Sequence, residues 1–438
     1  MRLIALLLCA LFTTGTAAQS PFPLRIADGG RHFVDARGRP FFYQADTAWF
    51  LFLKLSLTEV AAYFAHRKRQ GFNVIQVMLT GVPAERNLYG EPAFLGDTDL
   101  TRPNERYFAR VDSIVALAAE HELLLAMTPL WSSCCRDGYA GELADGSAAA
   151  MNVHGPAATR AFGTWLAERY AAVPNVVWIL GGDNDPYNAL PEIEALAAGL
   201  RAVDTPHLLT YHAASTHSST DVFPVADWLD FSMVYTYFRG FDRAWNRVQP
   251  DVYEVAHAAY HKPGALPFIL GESTYEGEHG ALGSALQARK QAYWVAFGGG
   301  AGHAYGSPNW HLRDDWRAVL DYPGAQSLQH LPPLLERHDW TTLRPDRCGA
   351  LSGYDRTGYA ANDYAVSLYD ARTVLHYLPS ARRVQLDLRS LRAGRWTLSW
   401  YDPRTGRSTP VGRYRRNRLP ALAPPGEGDW VLVAKRDG

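Results

Sequence analysis

A (β/α)8 TIM barrel followed by a C-terminal antiparallel β-sandwich domain is the fold that this 438-residue sequence predicts. Three observations predict it. From Pro40 to Arg337, short apolar runs alternate with segments of helical periodicity through eight units. Most of those runs are continuously apolar, the pattern of parallel strands covered on both faces. After about Trp340 the rhythm changes to short alternating strands separated by turns, with no helical pattern.

A hairpin, "LRIADGGRHFVDARGRPFF", precedes the barrel, with turn signals at Gly29-Gly30 and Gly38. The first barrel strand is "FFYQADTAW". The helix "SLTEVAAYFAHRKRQGF" follows, opened by a Ser56-to-Glu59 capping-box pattern and closed at Gly71. "NVIQVMLT" is the second strand, and a long loop leads to the helix "NERYFARVDSIVALAAEHE", with Phe108, Val111, Val115 and Ala118 at helical spacing. The third strand, "LLLAMTPLW", is followed by a loop and the helix "AATRAFGTWLAERYA". The fourth, Val176 to Leu180, feeds the helix "LPEIEALAAGLRAV". The fifth is "LLTYHA" and the sixth "WLDFSMVYTYF", with the helix "DVYEVAHAAYH" after it. "PFILGE" is the seventh, "ALQARKQAYWVAF" its helix, "GAGHAYG" the eighth, and a last helix covers roughly Trp316 to Arg337. No Gly-rich phosphate fingerprint follows the first strand, which favours a closed barrel over an open nucleotide-binding sheet. Beyond it, "GYAANDYAVSLYD", "TVLHYLP", "RVQLDL", "RWTLSWYDP" and "GDWVLVAKR" read as strands of a small sandwich.

The predicted organisation is a signal peptide over 1–18, a barrel with its hairpin over 19–339 and a β-sandwich over 340–438. Arg2, an apolar run from Leu3 to Phe12 and small residues ending at Ala18 form the pattern of a secretory signal, so the expected location is periplasmic or extracellular. That run is too short to anchor the chain in a bilayer, and no other stretch has the length of a membrane helix. Of the cysteines, Cys134, Cys135 and Cys348 remain after cleavage; the adjacent pair has no spaced Cys or His partners and is no zinc pattern. Apolar residues at 47% and charged residues at 20% imply a folded core, and a net charge of -1 argues against a nucleic-acid partner. Aromatics at 12%, with 13 Trp and 23 Tyr, supply flat faces on which sugar rings stack.

In such a barrel the chemistry sits at the C-terminal ends of the strands. The first strand places Asp46 and Trp49 there, the second Gln76, the third Trp131, the fifth Tyr211 and His212, the sixth Tyr235 and Tyr237, and the eighth His303 and Tyr305, with Trp310 close behind. Asp183 follows the fourth strand and Glu272 ends the seventh. Each comes after an apolar run and a Gly, at a rim where packing is poorly served by charge. Two carboxyl groups facing each other across the mouth are what glycoside hydrolysis needs: one protonates the leaving oxygen while the other attacks or activates water. Asp185 and Glu276 are weaker substitutes for the two. Tyr235 or Tyr237 is expected to hydrogen-bond Glu272, His212 to contact a sugar hydroxyl or the acid, Asp46 to bind sugar hydroxyls, and Trp131 and Trp310 to form stacking walls. The first strand lacks the paired His of metal-dependent barrel hydrolases and no G-x-S-x-G follows a strand, so neither a metal, another cofactor nor a Ser nucleophile is expected.

The segments "GRPFFYQADTAWFLF", "RKRQGFNVIQVML", "VVWILGGDND" and "PFILGESTYEG" together resemble the apiosidase-like glycoside hydrolases, and the tail resembles the collagen-binding-type β-sandwich that often follows such barrels. The resemblance implies an acid/base at Asp183, a nucleophile at Glu272, a retaining reaction and a polysaccharide or oligosaccharide substrate. The wider clan usually ends its fourth strand in Asn-Glu; here Gly182-Asp183 stands there, a shorter acid. The alternative is a non-catalytic glycan-binding or surface protein built on the same barrel.

Overall fold

A computed structural model describes residues 20–134, 136–186, 188–237, 251–264, 266–346, 351 and 363–438. The leader expected over 1–18, Cys135 and Cys348 lie outside the described residues. Eight parallel strands form one sheet: β1 (Tyr43–Thr47), β2 (Val74–Met78), β3 (Leu124–Thr128), β4 (Val176–Gly181), β5 (Leu209–His212), β6 (Ser232–Tyr235), β7 (Phe268–Glu272) and β8 (Gly302–Tyr305). Every residue of these strands is buried, as their unbroken apolar runs require. The sheet curls until β1 pairs with β8, Tyr43 opposite Gly302 and Asp46 opposite Tyr305. The ladder is open only between β5 and β6, and there Thr210 Oγ1 donates to the Phe231 carbonyl at 2.7 Å and Asp230 N to Leu209 O at 3.0 Å. No helix among the described residues is long and apolar enough to cross a membrane.

The helix after β1, Leu57–Arg69, begins as its sequence dictates: Glu59 N donates to Ser56 Oγ at 3.3 Å and Ser56 N to Glu59 Oε2 at 3.0 Å. The segment expected as one helix from Trp316 to Arg337 is instead three, Trp316–Val319, Pro323–Leu328 and Leu331–Arg337. Pro323 and Pro332 each sit in the first turn of a new helix, where a missing N–H costs nothing, and neither is tolerated inside a longer one.

The C-terminal part is a six-stranded antiparallel sheet: β9 (Arg344–Pro345), β10 (Val366–Tyr369), β11 (Thr373–Leu378), β12 (Arg395–Tyr401), β13 (Ser408–Arg415) and β14 (Trp430–Arg436), in the order β9-β10-β11-β14-β12-β13. Leu375, Tyr377, Val431 and Val433 on one face join the core around Tyr293 and Trp294 of the barrel. On the other, Trp396, Leu398 and Trp400 pack under Leu386, Leu388 and Leu419, which form the second layer. The "RVQLDL" stretch contributes to that layer by a single bridge, Val384 to Leu422, rather than a ladder. A buried ion pair ties the two parts: Arg289 donates to both oxygens of Asp429, at 3.0 and 2.8 Å, and Tyr377 Oη to Asp429 at 3.2 Å.

Candidate active site

The strand-four sequence turns the backbone sharply. Gly181, Gly182 and Asp183 take φ of 86, 135 and 55°, a left-handed run that L residues rarely adopt. Space enforces the glycines as well. A Cβ at Gly181 would lie 2.6 Å from the His212 carbonyl, and one at Gly182 2.6 Å from the Trp131 ring. This bend brings the Asp183 side chain back over the barrel mouth, while its N–H donates to His212 Nδ1 at 3.3 Å.

There a cavity of about 440 Å³ opens, lined by residues from the loops after seven of the strands. Asp183 and Glu272 both face it, with Trp49, Trp131, Tyr237, Tyr275 and Trp310 among its walls. The volume is that of an ordinary small-ligand site. One oxygen of Asp183, one of Glu272 and a ring nitrogen of His212 lie within 4.8 Å of one another.

Glu272 is held from two sides. Tyr275 Oη donates to Oε1 at 2.9 Å, and His212 Nε2 lies 2.7 Å from Oε2. Tyr275 itself accepts from the Trp49 indole at 3.0 Å, so Trp49, Tyr275, Glu272 and His212 form one chain. His212 Nδ1 lies 3.3 Å from the Asp183 N–H and 3.1 Å from the Ala213 carbonyl, and a proton on Nε2 is given to Glu272. With that proton in place, both Glu272 oxygens act as acceptors.

Asp183 has the opposite surroundings. Burial first, then the charge of Glu272, raise its pKa to about 8, against the pull of His212 and a hydrogen bond from Tyr235. Its Oδ1 has no hydrogen-bond partner among the described residues. His212 is fully buried; burial lowers its pKa, but Glu272 and Asp183 outweigh that and hold it above the ordinary imidazole value. Thus one carboxyl group is protonated near neutrality beside another that accepts from both sides. Asp183, His212 and Glu272 are also a three-donor set such as a cation takes, a convergence that separate strands hide in the sequence. In the structure His212 Nε2 is committed to Glu272, while Asp183 Oδ1 lies 3.9 Å from it.

Of the other rim residues, the two strand-six tyrosines, which the sequence reading puts on Glu272, are hydrogen-bonded to each other at 2.9 Å. Tyr235 serves Asp183 instead, and the tyrosine on Glu272 is Tyr275, three residues along the same loop. Asp46 does not reach the cavity. Strand side chains alternate, and Tyr43 points in, toward Gln76, so Gln44 and Asp46 point out. Asp46 is paired with Arg67 Nε at 2.6 Å and with Tyr63 Oη, all fully buried. Gln76 lies inside the barrel below the cavity and donates to the Gly271 carbonyl at 2.9 Å, steadying the strand end that carries Glu272. His303 is buried outside the cavity with burial pushing its pKa down to about 3. Tyr211 and Tyr305 are likewise away from it, donating to Asn184 O and to Glu276 at 2.7 Å each. Asp185 holds His217 at 2.7 Å, and Glu276 caps the helix at Gly324, so neither replaces Asp183 or Glu272.

Asp46 supplies a stability prediction. Asp46→Ala leaves the Arg67 guanidinium buried without its carboxylate, at an expected cost of about 3–5 kcal/mol. The urea midpoint should fall by that measure while KM of the folded enzyme stays put. A raised KM with an unchanged midpoint would return Asp46 to the sugar.

The chain matches the family model described as "Apiosidase-like, catalytic domain" over residues 27–342. A second model, named for the collagen-binding domain of a collagenase, matches residues 355–435. No curated protein matches the chain. Among solved structures it is similar to a glycoside hydrolase family 5 protein from Bacteroides vulgatus, with 24% identity, 94% of this chain and 93% of that one covered, and a TM-score of 0.83. A second, described as a glycoside hydrolase, shares 25% identity over 95% of this chain and 98% of its own, with a TM-score of 0.81.

Proposed function

The chain belongs to the apiosidase-like glycoside hydrolases, and from that premise we propose that it is an exported retaining glycosidase with Asp183 as acid/base and Glu272 as nucleophile. Asp183 protonates the leaving oxygen while Glu272 attacks the anomeric carbon. Water then resolves the glycosyl-enzyme, with Asp183 as base. Tyr275 and His212 hold the nucleophile still, and Trp49, Trp131, Tyr237 and Trp310 wall the sugar. The substrate is a plant-type or other polysaccharide. Export rests on the Arg2 to Ala18 segment.

One observation carries the mechanism: an oxygen of Asp183 and an oxygen of Glu272 lie within 4.8 Å across one cavity. So close an approach of single oxygens favours the roughly 5–5.5 Å separation of carboxyl groups in retaining pairs over the roughly 6.5–9.5 Å that leaves room for water in inverting ones. Proton NMR of the first sugar released tests it. The initial anomer should keep the configuration of the substrate. Release of the opposite anomer would turn Glu272 into a base that activates water.

A further inference from the structure

Charge is divided unevenly along the chain. Of 43 Lys and Arg and 44 Asp and Glu in all, residues 340–438 hold 17 and nine, which leaves 26 and 35 for the rest. A nearly neutral whole therefore hides a strongly cationic C-terminal part, and 16 of its 17 cations are Arg. The barrel does not absorb this excess. The junction between the two parts is apolar around Tyr293 and Trp294, and its buried ion pair has the opposite polarity, Arg289 from the barrel and Asp429 from the sheet. Four of the cations gather instead at the open edge of the sheet. Arg395 of β12 stands directly opposite Arg415 of β13, and Thr397 opposite Arg413. Lys435 of β14 faces Thr397 from the other side. Partners in a ladder share a face, so these side chains form one ledge, on the side of Leu375 and Val433 but beyond the area that the barrel covers, and all four cations are exposed. Asp437 stands among them: Arg413 donates to its Oδ2 at 3.0 and 2.6 Å, and Thr397 Oγ1 to its Oδ1 at 2.6 Å. Like charges directly opposite one another cost stability, and at exposed positions Arg395 and Arg415 have no core to fill in return.

We propose that the ledge of Arg395, Arg413, Arg415 and Lys435 is a non-catalytic docking surface for an acidic polysaccharide, a polyuronate whose carboxylates lie over the arginines. A guanidinium group offers a carboxylate two parallel N–H donors, and the near-exclusive use of Arg over Lys in this part of the chain suits that geometry. Arg413 and Arg415 lie two residues apart on one strand, so their side chains repeat about 7 Å apart along the edge, and Arg395 doubles the second of them. A linear polyanion meets such a row at several points at once, and weak exposed contacts add through effective concentration. Its charge also relieves the repulsion that the Arg395–Arg415 pair builds into the free protein. The polyanion is a glycan because the barrel beside the ledge is that of a glycoside hydrolase. The docked chain would keep the enzyme on its material between cleavages, whichever bond the cavity cuts.

The test reads binding by the full-length protein and needs no turnover, so its outcome is independent of the roles of Asp183 and Glu272. Native gels containing polygalacturonate, neutral galactan or double-stranded DNA, and sedimentation with phosphatidylglycerol vesicles, are run on the wild type and on Arg395→Gln/Arg415→Gln. A charge-matched control, Arg25→Gln/Arg160→Gln, removes two exposed arginines from the barrel part. Polygalacturonate should retard the wild type, galactan should not, and the retardation should fade as salt is raised. Arg395→Gln/Arg415→Gln should weaken the binding about tenfold, the scale of two exposed ion pairs, while the control binds as the wild type does. Because that double substitution removes a like-charge pair, its unfolding midpoint should hold or rise, which separates lost docking from lost fold. No retardation of the wild type, equal binding by the Arg395→Gln/Arg415→Gln protein, or an equal loss in the control overturns the inference. Tighter binding to DNA or to the vesicles than to polygalacturonate overturns it as well, since the ledge would then serve a nucleic acid or a lipid surface.

Discussion

Glu272→Gln should lower kcat on the order of 10⁴-fold, the scale of loss when a nucleophile is removed and the rest of the site stays in place. The substitution keeps the shape of the side chain and takes away the charge and the attacking electron pair. Glu272 is buried at the end of β7, where the adjoining Gly271 carbonyl is held by Gln76 and the two carboxylate oxygens by Tyr275 and His212. A glutamine there still has one oxygen to accept from Tyr275 or His212, so the fold and the cavity should persist. Circular dichroism and the unfolding midpoint are the controls. With both near wild type, the loss reports the chemical step. Turnover within tenfold of wild type in a well-folded variant would remove Glu272 as nucleophile.

The Asp183–Glu272 pair was legible because a charged side chain at the end of an apolar strand has few structural reasons to exist. "VVWILGGD" and "PFILGE" each carry that signal, and the glycines mark where the backbone must bend; at Gly181 and Gly182 the bend and the crowding by His212 and Trp131 both require them. The residues around the pair were less so. Asp46 misleads because it too ends a strand, and only the parity of β1, with Tyr43 facing in, sends it outward to Arg67. That parity was readable only once the strand start was fixed to the residue, and a one-residue slip reverses it. Tyr275 and Glu278 carry no periodic signal because they lie on a loop. Their positions come from the path of residues 273–284, which local sequence does not dictate.

Burial explains the same contrast in the C-terminal sheet. The inner strands Thr373–Leu378 and Trp430–Arg436 showed in the sequence because a core covers them. The edge strand Ser408–Arg415 did not, since most of its residues are exposed or only half-buried and leave no apolar alternation. The breaks at Pro323 and Pro332 were written in the sequence, and a continuous helix over Trp316 to Arg337 underweights them. Both faces of the sheet are consumed by packing, one against the barrel and one under its own second layer. With the Arg289–Asp429 pair across the junction, it behaves as a buttress for the helix Ala285–Phe297 behind β7 and β8. The same helix holds the chain just past Glu272, where Gln291 accepts from Thr274 N at 3.1 Å and donates to Thr274 O at 3.0 Å.

Asp183→Asn carries the second large effect, and its signature is in pH as well as rate. An acid catalyst works only while it holds its proton. Asp183, raised to about 8 by burial and by Glu272, is protonated below that pH and loses its proton above it. Wild-type kcat/KM should therefore fall as pH rises through about 8. The amide that replaces the carboxyl group does not titrate, so in the variant this alkaline limb should flatten. The rate loss should depend on the leaving group: on the order of 10³-fold for a glycan whose alkoxide must be protonated, and much less for a nitrophenyl glycoside, whose phenolate leaves unaided. His212 titrates in the same cluster and is the competing origin of such a limb. A limb that survives in Asp183→Asn and vanishes in His212→Asn would transfer the acid role away from Asp183, and equal losses on both kinds of leaving group would show that Asp183 shapes the pocket rather than donating the proton.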